Sequence, residues 1–357
     1  MGVLMKFISG MTQIFYDETL SSWIFRSSLK TRSRPWLNDK FIPLAPAVFG
    51  GGALIESEDW DFDPNVALLH KTMPEFAYKF EYLSCIFFRS SGRVVGWRRR
   101  WWFCVQCMRA DISAGQAPGW RKSWCYKDSV VCMIHCVDLQ RLLVAPQFTR
   151  SWDAFVQSSH SINYDADWSN ESFQRFRVVL IRRIHSWKKT KCERLQSLFD
   201  HLYDIFLLAP VYNGNHGQAH ELFSGHRPAL RHTLPNYMEG VRYGSELSSI
   251  KAKFGSLVLV GYLLEVLNER DIHFMTSKSA RFRDWCTYNP DIFQAIQFGC
   301  ASVEDCYTLK SFLGGLELLP AGNLEQAVRA YLVRFERIRP GISFEFFHGL
   351  GAVTPTM

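Results

Sequence analysis

Phe103-Cys104-Val105-Gln106-Cys107 and Val131-Cys132-Met133-Ile134-His135 carry the sharpest pattern in the chain: a Cys-x2-Cys pair followed by a Cys-x2-His pair. A two-residue spacer lets both side chains of a pair turn inward on one tight knuckle. Two knuckles then supply the four N/S ligands of a tetrahedral Zn²⁺. The spacing predicts one structural zinc ion on Cys104, Cys107, Cys132 and His135. Four protein ligands leave no open coordination position, which points to a scaffold rather than a hydrolytic centre. The competing reading is a set of buried free thiols beside a histidine, and Cys125 and Cys136 stand as second-choice ligands.

The sequence next to the first knuckle is basic and aromatic. Arg98, Arg99 and Arg100 lie between tryptophans in Arg93–Phe103. Arginines beside flat rings suit phosphate contact with stacking, or anchor points for a protein partner. They equally suit ion pairs with the acids of Glu56–Asp63. A second basic stretch, Ser172–Gln196, carries Arg175, Arg177, Arg182, Arg183, Lys188, Lys189, Lys191 and Arg194 against only Glu193. Its surplus equals the net charge of the whole chain, +7. As a helix it places Phe176, Val179, Leu180, Arg183, Ile184 and Trp187 on one side and much of the charge outward. Arg182, Arg183, Lys188 and Lys189 are therefore candidates for contact with a polyanion such as duplex DNA.

With 357 residues, 47% hydrophobic and 21% charged, the chain is too apolar for disorder and long enough for two or three cores. The longest apolar run, Phe254–Leu267, falls short of a bilayer span. No small-residue cleavage site follows the start, so a soluble, cytoplasmic protein with reduced cysteines is expected.

The helical pattern begins at Leu20, Trp23, Ile24 and Ser27, with Asp17 as the expected N-cap and Glu18 in its first turn. Asp63–His70 and Glu75–Ser84, broken by Thr72-Met73-Pro74, form a helix-turn-helix-like pair. Ser302–Gly314 begins a weaker one. Asp153–Asn170 reads as a linker or surface loop. Ser172–Asp200 and Leu257–Leu267 have helical character, and Leu324–Arg339 follows an Asn323 cap with Gln326 at the third position. The fold expected is mainly α. An N-terminal helical region over 1–150 holds an inserted small zinc finger or ribbon at about 97–140. A linker over 151–172 leads to a larger helical C-terminal domain over 173–350.

Tyr16-Asp17-Glu18-Thr19-Leu20-Ser21-Ser22-Trp23-Ile24-Phe25-Arg26 resembles the opening motif of the TniQ/TnsD family of transposition proteins. Trp102–Asp111, Gly119-Trp120-Arg121-Lys122-Ser123-Trp124 and Val131–His135 are similar to that family's zinc finger. There Cys-x2-Cys-x3-Asp/Glu precedes Arg-x-x-Trp and then Cys-x2-His. The resemblance covers about Phe15–Leu142. It implies a non-catalytic target-selection factor of Tn7-like or related transposons. Such factors tie a site-recognition element to the AAA+ regulator TnsC, which recruits the transposase. Shorter TniQ-type members sit on an RNA-guided Cascade complex, often as a homodimer, and TnsD-type members bind an attachment site in DNA themselves. No paired cysteines follow Cys136, where many relatives carry a second ribbon. A zinc-dependent nuclease is the remote alternative, but the chain has no His-Glu-x-x-His and no convincing pair of catalytic carboxylates.

Overall fold

In the computed structural model the described residues are 12–29, 59, 61–62, 83–88, 93–144, 146, 149–160, 171–211, 216–224, 233–289, 291–313 and 322–338. Most of the expected Asp63–His70 and Glu75–Ser84 pair, and the continuation after Ser302–Gly314, lie outside them. The chain divides into two compact units, Met1–Tyr164 and Asp165–Met357.

Unit 1 is assembled around helix α1, Leu20–Ser28. The sequence suggests an amphipathic helix, yet every residue from Leu20 to Ser27 is buried. Trp23 stacks on Phe87 with ring centroids 5.4 Å apart. Asp17 does not cap it; Thr19 occupies that position without a side-chain cap bond. Asp17 instead turns the chain with φ 62°, an unusual conformation for a residue other than glycine. Strand β1 (Trp102–Phe103) leads into helix α2 (Val105–Ser113), followed by the short strands β2 (Val131–Cys132), β3 (Val137–Asp138) and β4 (Gln140–Arg141). Two antiparallel pairs result, β1 with β4 and β2 with β3.

Helix α3 covers Arg150–His160, which corrects the reading of Asp153–Asn170 as linker from its first residue. Small residues explain why the helix is hard to read. Ser151, Ala154 and Ser158 are all buried, and α3 lies close to α2, where Arg109 donates to the Ser158 carbonyl at 3.1 Å. A stripe of Ser and Ala looks polar by composition but packs as a close helix contact.

Unit 2 is helical in its described residues: α4 (Glu171–Thr190), α5 (Glu193–Phe206), α6 (Tyr237–Leu247), α7 (Ile250–Leu263), α8 (Glu269–Lys278), α9 (Ala280–Tyr288), α10 (Ile292–Ala295), α11 (Val303–Leu313) and α12 (Asn323–Ile338). The Ser172–Asp200 pattern is thus two helices. Helix α7 is apolar nearly all round and forms the centre of this core, with only Lys251 and Tyr262 part-exposed. Gly255 is required there, since any side chain would strike the Phe223 ring. Helix α12 buries Leu324, Ala327, Val328, Tyr331, Leu332 and Phe335, the stripe read from sequence. Asn323 does not act as the expected cap; its side-chain amide donates to the Tyr262 carbonyl at 3.0 Å.

Candidate metal centre

Cys104, Cys107, Cys132 and His135 converge. Their ligand atoms all lie within 4.8 Å of one another, and the three cysteines are buried. Cys104 sits at the N-cap of α2, where its sulfur accepts from the Cys107 amide at 3.5 Å. Cys107 follows in the first turn. The second knuckle leaves β2 at Cys132 and closes by a Cys136 amide to Cys132 carbonyl bond of 2.7 Å. That closure puts Cys136 at φ 56° and leaves its side chain out of the cluster.

The separations suit a single cation. Cys107 Sγ lies 3.6 Å from Cys132 Sγ and 3.2 Å from His135 Nδ1; Cys104 Sγ and Cys132 Sγ each lie 3.7 Å from that nitrogen. Ligands about 2.0–2.3 Å from a tetrahedral Zn²⁺ would stand roughly 3.3–3.8 Å apart. The donor set is soft and nitrogenous, as zinc prefers. Crowding the thiols pulls their proton affinities apart. Hydrogen bonds from Cys104 and Cys107 push Cys132 down, while those with Cys104 and Cys132 push Cys107 up. The cluster could hold a metal ion. The second-choice ligand Cys125 is elsewhere: its sulfur donates to the Arg121 carbonyl at 3.5 Å, and burial pushes its thiol up to about 12.

The segment between the two knuckles does the rest of the assembly. Glu18 pairs with Arg121 in an antiparallel bridge. Thr19 N donates to the Trp120 carbonyl at 3.0 Å, and Lys122 N to the Asp17 carbonyl at 2.6 Å. Trp120 N donates to Ser22 Oγ at 2.7 Å, and Ser123 N to Asp17 Oδ2 at 2.9 Å. Asp111 of α2 accepts from Arg121 Nη2 at 2.6 Å and from Gly119 N at 2.9 Å. At Gly119 a Cβ would fall 2.7 Å from both the Arg121 guanidinium and the Phe15 ring, so a side chain there would have to push these groups aside. Trp124 meets Trp120 edge-on at 5.6 Å. Residues 17–22, Asp111, Gly119–Trp124 and the two knuckles therefore belong to one packed unit.

Two buried ion networks brace this unit. Glu18 Oε1 accepts from Arg26 Nε at 2.7 Å and from Ser22 Oγ at 2.9 Å, and the Arg26 guanidinium lies 3.3 Å from the Phe15 ring centre. Burial pushes the Glu18 carboxyl up and the Arg26 guanidinium down even against their pairing. The second network centres on Asp61. It accepts from Ser21 N at 2.9 Å, Arg100 Nη1 at 2.9 Å and Arg150 Nη2 at 2.7 Å. Burial alone would raise Asp61, but Arg150 and Arg100 hold its carboxyl below the usual range.

The basic candidates separate. Arg100 is corrected: it is 1% exposed and paired with Asp61 and Asp59, so it is a core residue rather than a surface contact. Its partners come from the acidic stretch that composition marked as the alternative. Arg98 is exposed and Arg99 half-buried. On α4, Arg183 pairs with Asp271 at 2.6 Å and Lys188, half-buried, with Asp200 at 2.6 Å. Arg182 and Lys189 are exposed. The buried face of α4 is Phe173, Arg177, Val178, Leu180, Ile181 and Ile184, so Val179 and Arg183, assigned to that side from sequence, point outward. Arg177 misleads the eye because a guanidinium fills a core position, 5.0 Å from the Phe173 ring centre.

Among the described residues no helix is long and apolar enough to cross a membrane. Comparison with known proteins finds no matching family model, no matching curated protein and no matching solved structure.

Proposed function

We propose that the chain is a non-catalytic adaptor for target-site selection in DNA transposition, of the TniQ type, built on one structural Zn²⁺. The observation that carries the reading is the interlock between Asp17–Ser22 and Gly119–Ser123. Two distant stretches resemble one family separately, and they meet main chain to main chain beside the four-ligand cluster. Zinc would supply folding energy by clamping two knuckles that the unfolded chain does not hold together. The residues around it transfer no group; they fix the platform from which partners are bound.

The partners in this reading are the AAA+ regulator TnsC on one side and a Cascade guide-RNA complex or target DNA on the other, with a homodimer as the functional form. Exposed Arg182 and Lys189 on α4 favour a direct polyanion contact, the second reading, in which the chain is itself an attachment-site DNA binder. Purified chain, an AAA+ regulator and a guide complex from the same genome decide the matter. The adaptor reading expects co-migration of all three in size-exclusion chromatography and weak binding of naked DNA. Tight, salt-dependent binding to one DNA site with a large specificity ratio would favour the second reading. DNA cleavage by the isolated chain with added metal would refute both.

A further inference from the structure

β4 pairs with β1 through Trp102↔Arg141 and Phe103↔Gln140. The Leu142 amide donates to the Trp101 carbonyl at 2.7 Å, so Leu142 faces β1. Main-chain groups alternate in direction along a strand, and the Arg141 carbonyl and Leu143 amide therefore face the outer edge. One side chain satisfies both. Gln157 of α3 donates through Nε2 to the Arg141 carbonyl at 2.8 Å, and its Oε1 accepts from the Leu143 amide at 2.7 Å. Donation to residue i−1 and acceptance from residue i+1 is what one residue of a parallel neighbouring strand makes across residue i. Here i is Leu142, and a carboxamide imitates the missing strand.

The surroundings are apolar and open. Leu143 is 78% exposed and Val144 52%; Val156, next to Gln157, and Trp152, one helical turn earlier, are each 43% exposed. Exposed large side chains beside a main-chain edge are what an added strand uses for specificity, while the edge supplies affinity.

We propose that the outer edge of β4 docks an extended, apolar peptide segment of a protein partner. The segment pairs in parallel across Leu142 and displaces the Gln157 carboxamide. A second copy of this chain is the poorer occupant, because two-fold pairing of identical edges runs antiparallel and does not reproduce the pattern that Gln157 imitates. The proposal stands independently of the transposition reading.

A displayed library of random peptides about twelve residues long, panned on the purified full chain, supplies the probe. Gln157→Ala removes the intramolecular competitor from a part-exposed position and leaves the ladder with β1 intact. Enriched peptides are expected to bind Gln157→Ala about fivefold tighter than the wild type, the effect of one lost competing hydrogen-bonded group. They are also expected to slow hydrogen exchange at the Leu143 amide. A library without binders overturns the proposal. So do binders whose affinity ignores Gln157→Ala, or which leave Leu143 exchange unchanged.

Discussion

Asp61 shows how much can rest on one carboxylate. It holds two buried guanidiniums and the Ser21 amide at the start of α1. Asp61→Asn keeps the shape and removes the charge; among the described residues this leaves Arg150 buried without an ion-pair partner and Arg100 with Asp59. Removing one member of a buried pair costs about 3–5 kcal/mol, enough to unfold a marginal domain. Urea unfolding of the variant should show that loss, with Arg150→Met in the same background recovering part of it by removing the stranded charge. If Asp61→Asn matches the wild type, the network does not brace the unit. At the metal cluster, Cys132→Ser should abolish the roughly one zinc ion per chain expected by elemental analysis. The same change at Cys125, whose sulfur lies outside the cluster, should leave zinc content intact. Equal zinc in all three proteins would show that the cluster is not the ligand set.

Between elements, main-chain pairing links the Cys/His cluster to the residues that open α1, because Gly119–Trp124 lies between the two half-sites and pairs with Asp17 and Thr19. Chelation should therefore speed hydrogen exchange at Thr19 and Trp120 together with the ligand knuckles. Unchanged exchange at Thr19 after loss of the ion would separate the two. This coupling was only half legible in the sequence. The convergence of Cys104, Cys107, Cys132 and His135 was, because two-residue spacing is a local geometric demand. The α12 stripe was, because its apolar residues recur without interruption. Asp17 and Glu18 were misread, since an acid before a helix looks like a cap, while these two are engaged by Ser123 and Arg26, far along the chain or across the turn. The end of α4 at Thr190 and restart at Glu193 involve no glycine or proline, so nothing local announced the break. Charge was the least legible feature of all. Its density was correctly located, but Arg100, Arg183 and Lys188 find acids remote in sequence. Arg182 and Lys189 are both exposed on α4, and the proposed polyanion contact is tested there. Reversing both to Glu should weaken binding of duplex DNA or guide complex at least several-fold and flatten its salt dependence. Charge reversal at Arg183 should chiefly disturb α4–α8 packing through Asp271, so identical outcomes for the two variants would argue against a surface role.

At the scale of a whole unit, the pH response of unit 2 follows from a histidine that its core keeps neutral. His220 is 1% exposed, with Nε2 3.2 Å from the Leu207 carbonyl and 3.3 Å from Ser248 Oγ. Ser248 sends its own proton to the Gly244 carbonyl at 2.6 Å, so Nε2 carries the proton it donates to Leu207, and the ring is the neutral tautomer. Burial is the main reason its pKa falls to about 4; His216 adds repulsion against a second positive charge. In the unfolded chain the same ring titrates near 6.5. Between those values the unfolded state takes up a proton that the folded state refuses. Stability from this group is thus fully present above about pH 6.5 and is lost as pH falls toward about 4, by roughly 3 kcal/mol in all. His220→Gln retains an amide N–H able to reach Leu207 and has nothing to titrate. Urea midpoints at pH 7 and pH 4.5 should fall much further for the wild type than for the variant, the difference isolating this residue from acids that titrate in both proteins. Parallel falls would mean that His220 is protonated inside the folded core, and that the unit tolerates a charge its packing gives no acid to neutralise among the described contacts of that ring.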